Sequence, residues 1–224
     1  LSGVSAIIVI GGTIGAVMLN TPAHLFFKAL FSVRRVFFPP ILNAKYVASI
    51  LKEMSMKSKE HGVKSLEVYK KQMKDDFAKK SIQMLCDGVK PQLLEDILMQ
   101  DVKLEERNHE LHADVFKSMG GYSPTIGLAG AILGLINVMQ NLNNPELLGH
   151  GLAVAFTATL YGVVGANLIL LPISEKLFAL ADRQALYRMM IVTAVVSISR
   201  NEGRFETQSK IDSFLDDRLI SGWN

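Results

Sequence analysis

The residues that look most like ligands are His109 and His112, in the run His109-Glu110-Leu111-His112. A zinc-holding helix of the hydrolytic kind spaces its histidines four apart, so that both reach one ion. Here they are three apart, among Lys103, Glu105, Glu106 and Asp114, the composition of a solvated helix face. Cys86 is the only cysteine, which excludes a disulfide framework or a thiolate metal cluster. Just before Asp87-Gly88 it reads as a small packing residue. Glu60 and His61 form an ordinary exposed pair, and no glycine-rich phosphate loop or nucleophile–base pair is present, so catalysis has no constellation to work with. A different class of polar residue stands out. Thr125, Asn137, Thr157, Thr159, Tyr161 and Asn167 lie inside long apolar runs. In lipid such groups need partners on neighbouring helices, or water in a path. Thr157 and Thr159 sit mid-run among Ala155, Ala158 and Gly162.

The elements that position these residues follow from charge. Between Ser118 and Ser174 the only carboxylate or cation is Glu146. Two apolar segments, about Tyr122–Leu142 and Leu152–Ile173, flank the polar turn Asn143-Asn144-Pro145-Glu146. Each has the roughly 20 residues that cross a ~30 Å hydrocarbon layer. One charge at mid-membrane costs about 2.5–3.5 kcal/mol on insertion scales, so two clean runs with a charge only between them predict a membrane-spanning hairpin. The competing assignment, a pair of buried core helices, conflicts with the charged face that soluble helices of this length carry. Leu1–Leu19 is a third uncharged segment, with Gly11 and Gly15 spaced for close helix packing. No acidic or basic side chain lies at depth in any of the three. A coupled ion carrier needs a group that binds its ion reversibly. This chain alone is therefore not expected to be a pump or channel; if it conducts, the carboxylate comes from another polypeptide, or from sequence before Leu1.

The remaining chain is expected to be helical and cytoplasmic. Nearly half of the 224 residues are hydrophobic and the net charge is only +3, which suits a polytopic membrane protein and speaks against nucleic acid as a partner. Seventeen of the Lys and Arg residues lie in 20–117, the other seven in 175–224, and none in the turn at 143–150. Positive residues stay in the cytoplasm, so the turn and Leu1 are expected outside. The fold class is thus all-α, with a membrane helix at 1–20, a cytoplasmic helical domain at 21–117, the membrane hairpin at 118–174 and cytoplasmic C-terminal helices at 175–224. Within 21–117, Lys28, Arg34 and Arg35 among phenylalanines predict an interfacial helix, ended by Pro39-Pro40. Val47, Ile50, Leu51 and Met54 recur at helical spacing, and so do Leu66, Tyr69, Met73 and Phe77. Gly62 and Gly88 suit helix stops and Pro91 a helix start, for a helix to about Met119 that is expected to run into the membrane at Gly120-Gly121. Ile191–Ile198 is too short to span and is expected to pack on the cytoplasmic domain, with Asn201-Glu202-Gly203 as a turn before a last helix.

These runs resemble the MotA/PomA family, the larger stator subunits of the bacterial flagellar motor. The resembling residues are Ser123-Pro124-Thr125-Ile126-Gly127-Leu128 with Gly130 and Gly134, then Thr157-Ala158-Thr159-Leu160-Tyr161-Gly162, and Leu171-Pro172-Ile173. Asn141-Leu142-Asn143-Asn144-Pro145 resembles the family's periplasmic turn, and Met84-Leu85-Cys86-Asp87-Gly88 and Ile10-Gly11-Gly12-Thr13 match in the same order. The resemblance implies four spanning helices, of which the first is missing from this chain and Leu1 begins the second. It implies a homopentamer in the bacterial inner membrane around a dimer of a MotB/PomB-like B-subunit, whose aspartate binds the transported proton or sodium ion, with no other cofactor. Thr125 and Thr159 would line the ion path, and Pro124 and Pro172 would be the conformational prolines at the cytoplasmic ends of two spans. Lys59 and Glu67 would touch the rotor's switch-ring protein, Lys59 standing where some members carry arginine, which keeps charge without bidentate pairing. Two departures are Asn201-Glu202-Gly203 in place of a Gly-x-Asn-Pro turn, and Ala131 where threonine is frequent, so the coupling ion stays open. An ExbB/TolQ-type subunit that energises outer-membrane transport, or a non-conducting membrane scaffold, would be the other functions for such a chain.

Overall fold

The computed structural model describes residues 2–140, 142 and 145–215. All regular structure among them is helical: α1 (Gly3–Asn20), α2 (Ala23–Phe37), α3 (Ala44–His61), a 3-10 segment (Val63–Lys71), α4 (Asp76–Cys86), α5 (Pro91–Gln140), α6 (Pro145–Gly165), a π-helical turn (Ala166–Leu170), α7 (Leu171–Ser199) and α8 (Arg204–Leu215). The chain divides into two compact units, Leu1–Pro39 with His109–Ala179, and Pro40–Asn108 with Leu180–Asn224. Their boundaries fall inside α5 and α7, so the expected segments 21–117 and 175–224 each contribute to both units.

The first unit holds the apolar helices. The Ser2 hydroxyl caps α1 by accepting from the Ser5 amide at 3.3 Å. Ser5, Val9, Thr13 and Val17 form its buried stripe, while Val4, Ile7, Ile10 and Leu19 are exposed. Three helical stretches are long and apolar enough to cross a membrane, Gly3–Asn20, Pro91–Gln140 and Leu148–Ser199, and only 22% of each apolar window is buried. That exposure decides between the two assignments of the hairpin, because helices apolar all round in a water-soluble fold would be covered. The protein is a membrane protein. Pro22 turns the chain into α2, whose Phe26, Ala29 and Val36 pack with Val17, Ala113, Val115, Phe116 and Leu177. The expected turn at Asn143-Asn144 lies outside the described residues.

Two helices are long. The helix from Pro91 runs into the membrane segment at Gly120-Gly121 as expected, and α5 is one helix of 50 residues that also passes Pro124. Proline removes one backbone donor and crowds the carbonyl four residues back; in this case that residue is Gly120, and the helix continues. The second hairpin helix likewise runs from Pro145 to Ser199 with a widened π turn at Ala166–Leu170, immediately before Pro172. A turn with an extra residue gives a proline ring the room it lacks in a regular helix.

The second unit has an ordinary apolar core: Leu51, Met54, Leu66, Ile82, Leu85, Leu94, Leu98, Met190, Ile191 and Ile211 are fully buried. The Ile191–Ile198 run is the central part of this core, covered on nearly all sides, as an all-round apolar helix requires. The predicted helical repeat Leu66-Tyr69-Met73-Phe77 is not one helix. Leu66 and Tyr69 lie three apart on a 3-10 segment, and Phe77 opens α4. The break arises at Asp75, whose carboxylate accepts from the Phe77 amide at 3.1 Å and starts a new helix. Gly62 and Gly88, with φ of 77° and 74°, stop helices in the left-handed conformation that glycine adopts without strain.

Candidate functional site

In the first unit α5 and α6 meet along a seam of small residues. A Cβ on Gly162 would lie 2.6 Å from the Ser123 carbonyl oxygen and 3.0 Å from the Gly127 Cα; one on Gly127 would lie 2.8 Å from the Ala158 oxygen. Only hydrogen fits at these positions. The Ser123 hydroxyl, buried in the seam, donates to the Gly162 carbonyl at 3.0 Å. Ser5 of α1 joins from the other side, donating to the Val154 carbonyl at 2.9 Å and lying 2.8 Å from the Thr157 hydroxyl.

The predicted ion-path threonines are placed differently from each other. Thr159 is half-buried beside the seam, and its hydroxyl donates to the Ala155 carbonyl at 3.3 Å. Thr125 is exposed, its hydroxyl donating to the Tyr122 carbonyl at 2.8 Å. It lies two residues from Ser123, and so about 160° round α5 from the seam. A single chain therefore presents these hydroxyls on different surfaces. Each spends its proton on its own helix, which leaves its oxygen as an acceptor for water or a cation. Asn167 makes a similar bond to the Val163 carbonyl at 2.9 Å. A groove of about 360 Å³ opens between α1, α5, α6 and the π turn, its walls including Val9, Thr13, Ser123, Tyr161 and Gly165. No charged side chain lines it, and no sequence signal announced it, since its walls come from segments some 150 residues apart.

In the second unit Lys59 and Glu67 flank the elbow at Gly62, both exposed. Lys59 is in the last turn of α3, where its ammonium donates to the backbone oxygen and the side-chain Oδ1 of Asn201, each at 2.6 Å. Asn201 itself has a φ of 57°, so Lys59 ties α3 to a left-handed turn. Glu67 sits on the 3-10 segment with its carboxylate exposed. Near it the Tyr69 hydroxyl donates to Glu53 at 2.6 Å, and this bond, more than any other influence, holds the Glu53 carboxyl below its usual range. Burial pushes the Cys86 thiol up, in keeping with a packing role. Arg188 was not foreseen from the sequence. It is buried, pairs with Glu105 and stacks 4.9 Å over the Phe77 ring. Its neighbour Tyr187 is pushed up to about 12, chiefly by burial.

His109 and His112 stand with ring centroids 6.4 Å apart, and the Arg35 guanidinium lies 2.9 Å from Nδ1 and 3.3 Å from Nε2 of His109. A guanidinium can only donate, so it occupies a nitrogen lone pair that a metal would need.

The profile of a family described as the MotA/TolQ/ExbB proton channel family matches residues 69–190. The chemotaxis protein PomA of Vibrio alginolyticus is 30% identical over 223 residues, covering 97% of this chain and 84% of that protein. Motility protein A of Borreliella burgdorferi is 30% identical over 169 residues, covering 75% of this chain and 65% of that protein, so the chain spans just under two thirds of this relative. A solved structure of C. jejuni MotAB superposes with a TM-score of 0.89 at 26% identity, covering 100% of this chain and 88% of that one.

Proposed function

The chain belongs to the MotA/TolQ/ExbB proton channel family, and we propose that it is the larger stator subunit of an ion-driven flagellar motor in a bacterial inner membrane. The observation that carries this reading is the contrast inside the apolar helices. Their charge-free runs, Leu1–Leu19, Tyr122–Leu142 and Leu152–Ile173, hold no carboxylate, lysine or arginine, yet Thr159 and Thr125 keep hydroxyl oxygens available as acceptors. Such a surface can guide a cation but cannot bind and release it in a coupled cycle. The titrating group is supplied by a MotB/PomB-like subunit, whose aspartate carries a proton or a sodium ion past Thr159. Pro124 and Pro172 lie within continuous helices, each where one backbone hydrogen bond is absent, and these are the points at which the helices flex as the ion passes. Because Thr125 and Thr159 face different surfaces of one chain, a continuous path needs several copies arranged in a ring, for which a homopentamer is the proposed form. Lys59 and Glu67 at the exposed elbow transmit the movement to the rotor's switch ring by charged contacts. Each ion crossing supplies about 2.3 kcal/mol per 100 mV, so torque accumulates over many small steps.

The test is ion flux in liposomes with this chain alone and with its co-expressed B-type partner. Flux is expected only for the pair, and it should disappear with Thr159→Leu. Motor-like flux from the chain by itself would overturn the proposal.

A further inference from the structure

The first unit carries a second feature that ion flow does not require. Helix α2 has three faces. Phe26, Ala29 and Val36 are buried against the unit's core. Phe27 and Phe31 are 55% and 81% exposed, and at ~100° per residue they fall about 40° apart, while Phe38, 75% exposed, follows as the residue that caps the helix. His24, Lys28 and Arg35, also exposed, form an edge beside that aromatic face, with centres about 60° further round. On α5, His109 is drawn to this edge by Arg35, and His112 is close enough that the charges of Arg35 and Lys28, after burial, hold it below its ordinary value. Glu110 and Asp114 are turned about 100° or more round α5 from both histidines, whereas Glu105 and Glu106, one turn before His109, share its face, with Glu105 paired to Arg188. Arg34, about 20° outside the aromatic arc, has a long enough stem to carry its head outward over the rings.

A helix with an apolar exposed face and a cationic margin, three residues beyond a membrane-spanning segment, matches a phospholipid in both chemistry and dimension. We propose that α2 and the His109–His112 turn of α5 form a site for an anionic phospholipid, its phosphate held by Lys28 and Arg35 and its acyl chains laid on Phe27, Phe31 and Phe38. His109 accepts from Arg35 and so orients the guanidinium toward the headgroup. This site is independent of the stator proposal, since it requires only that the protein lie in a membrane.

The test is native mass spectrometry of the complex purified from membranes and exchanged into nanodiscs containing equal phosphatidylglycerol and phosphatidylcholine. The complex is expected to retain phosphatidylglycerol preferentially. Lys28→Gln and Arg35→Gln should each reduce that preference about fivefold, as one surface charge implies, while Lys64→Gln in the other unit leaves it unchanged. Excess inorganic phosphate should not displace the lipid, because it brings nothing to the aromatic face. Equal retention of the two lipids, displacement by phosphate, or an unchanged preference in the Lys28/Arg35 double variant would overturn the site. So would a Phe27→Ser/Phe31→Ser variant that keeps its lipids but loses subunits, since a neighbouring copy would then be what covers α2.

Discussion

At the scale of single residues, the chemistry rests on hydroxyls and exposed charges, and the two kinds differ in how legible they were. That Thr125 and Thr159 lie in apolar runs is visible in the sequence, and a helical threonine's bond to its own preceding turn is a local matter. Lys59 is another case, because its partner Asn201 is 142 positions away and no local pattern joins them. If the rotor contact belongs to this elbow, Glu67→Lys should impair motility severely while leaving subunit assembly and thermal stability within about 0.5 kcal/mol of the parent, as for surface changes generally. Swimming at the parental rate would remove Glu67 from the site. Tyr69 offers a pH test. Its hydroxyl lowers the Glu53 pKa in the folded state, so the bond stabilises the fold at neutral pH, and this contribution is lost as pH falls through the folded carboxylate's range. Tyr69→Phe should therefore flatten the acid side of the melting-temperature profile while keeping the buried ring. Parallel profiles for the two proteins would count against it.

At the scale of elements, the seam between α5 and α6 is the tightest feature of the membrane unit. With a Cβ on Gly162 meeting two backbones, Gly162→Ala should cost about 1–3 kcal/mol and lower the melting temperature in detergent. Gly121→Ala, where nothing lies within 4 Å, should leave it unchanged or slightly raised, given alanine's better helix propensity. Equal effects at both positions would refute the seam as the reason for these glycines. The glycines are visible in the sequence, but not which of them meet. Facing Cα positions are set by the rotation of two helices against each other, and that rotation is fixed by the hydrogen bond from Ser123 to Gly162 together with the side-chain packing.

At the scale of the whole molecule, three apolar stretches with little burial are joined to a well-packed helical core. The proposed stator assembly predicts a defined subunit ratio for the detergent-purified complex. Mass measurement of the chain co-expressed with its B-type partner should give five copies to two, and a complex of the chain with no second polypeptide, still active in torque generation, would sink it. The partner is required by the missing charge within the membrane helices, not by any surface visible in one chain.

The sequence alone determined where the membrane helices lie, which stretches avoid charge, and where Gly62, Gly88 and Pro91 punctuate the helices. These are local properties: the cost of placing a charge in lipid and the conformational freedom of glycine or proline belong to each residue and its immediate neighbours. Only the tertiary structure decided that a π turn at Ala166–Leu170 carries the second hairpin helix on to Ser199, that Asp75 divides the Leu66–Phe77 repeat, that Arg188 is buried against Glu105 and Phe77, and that Lys59 holds Asn201. Most of these outcomes depend on partners distant in sequence, and the free energy of such a contact exists only once the chain has brought both groups together.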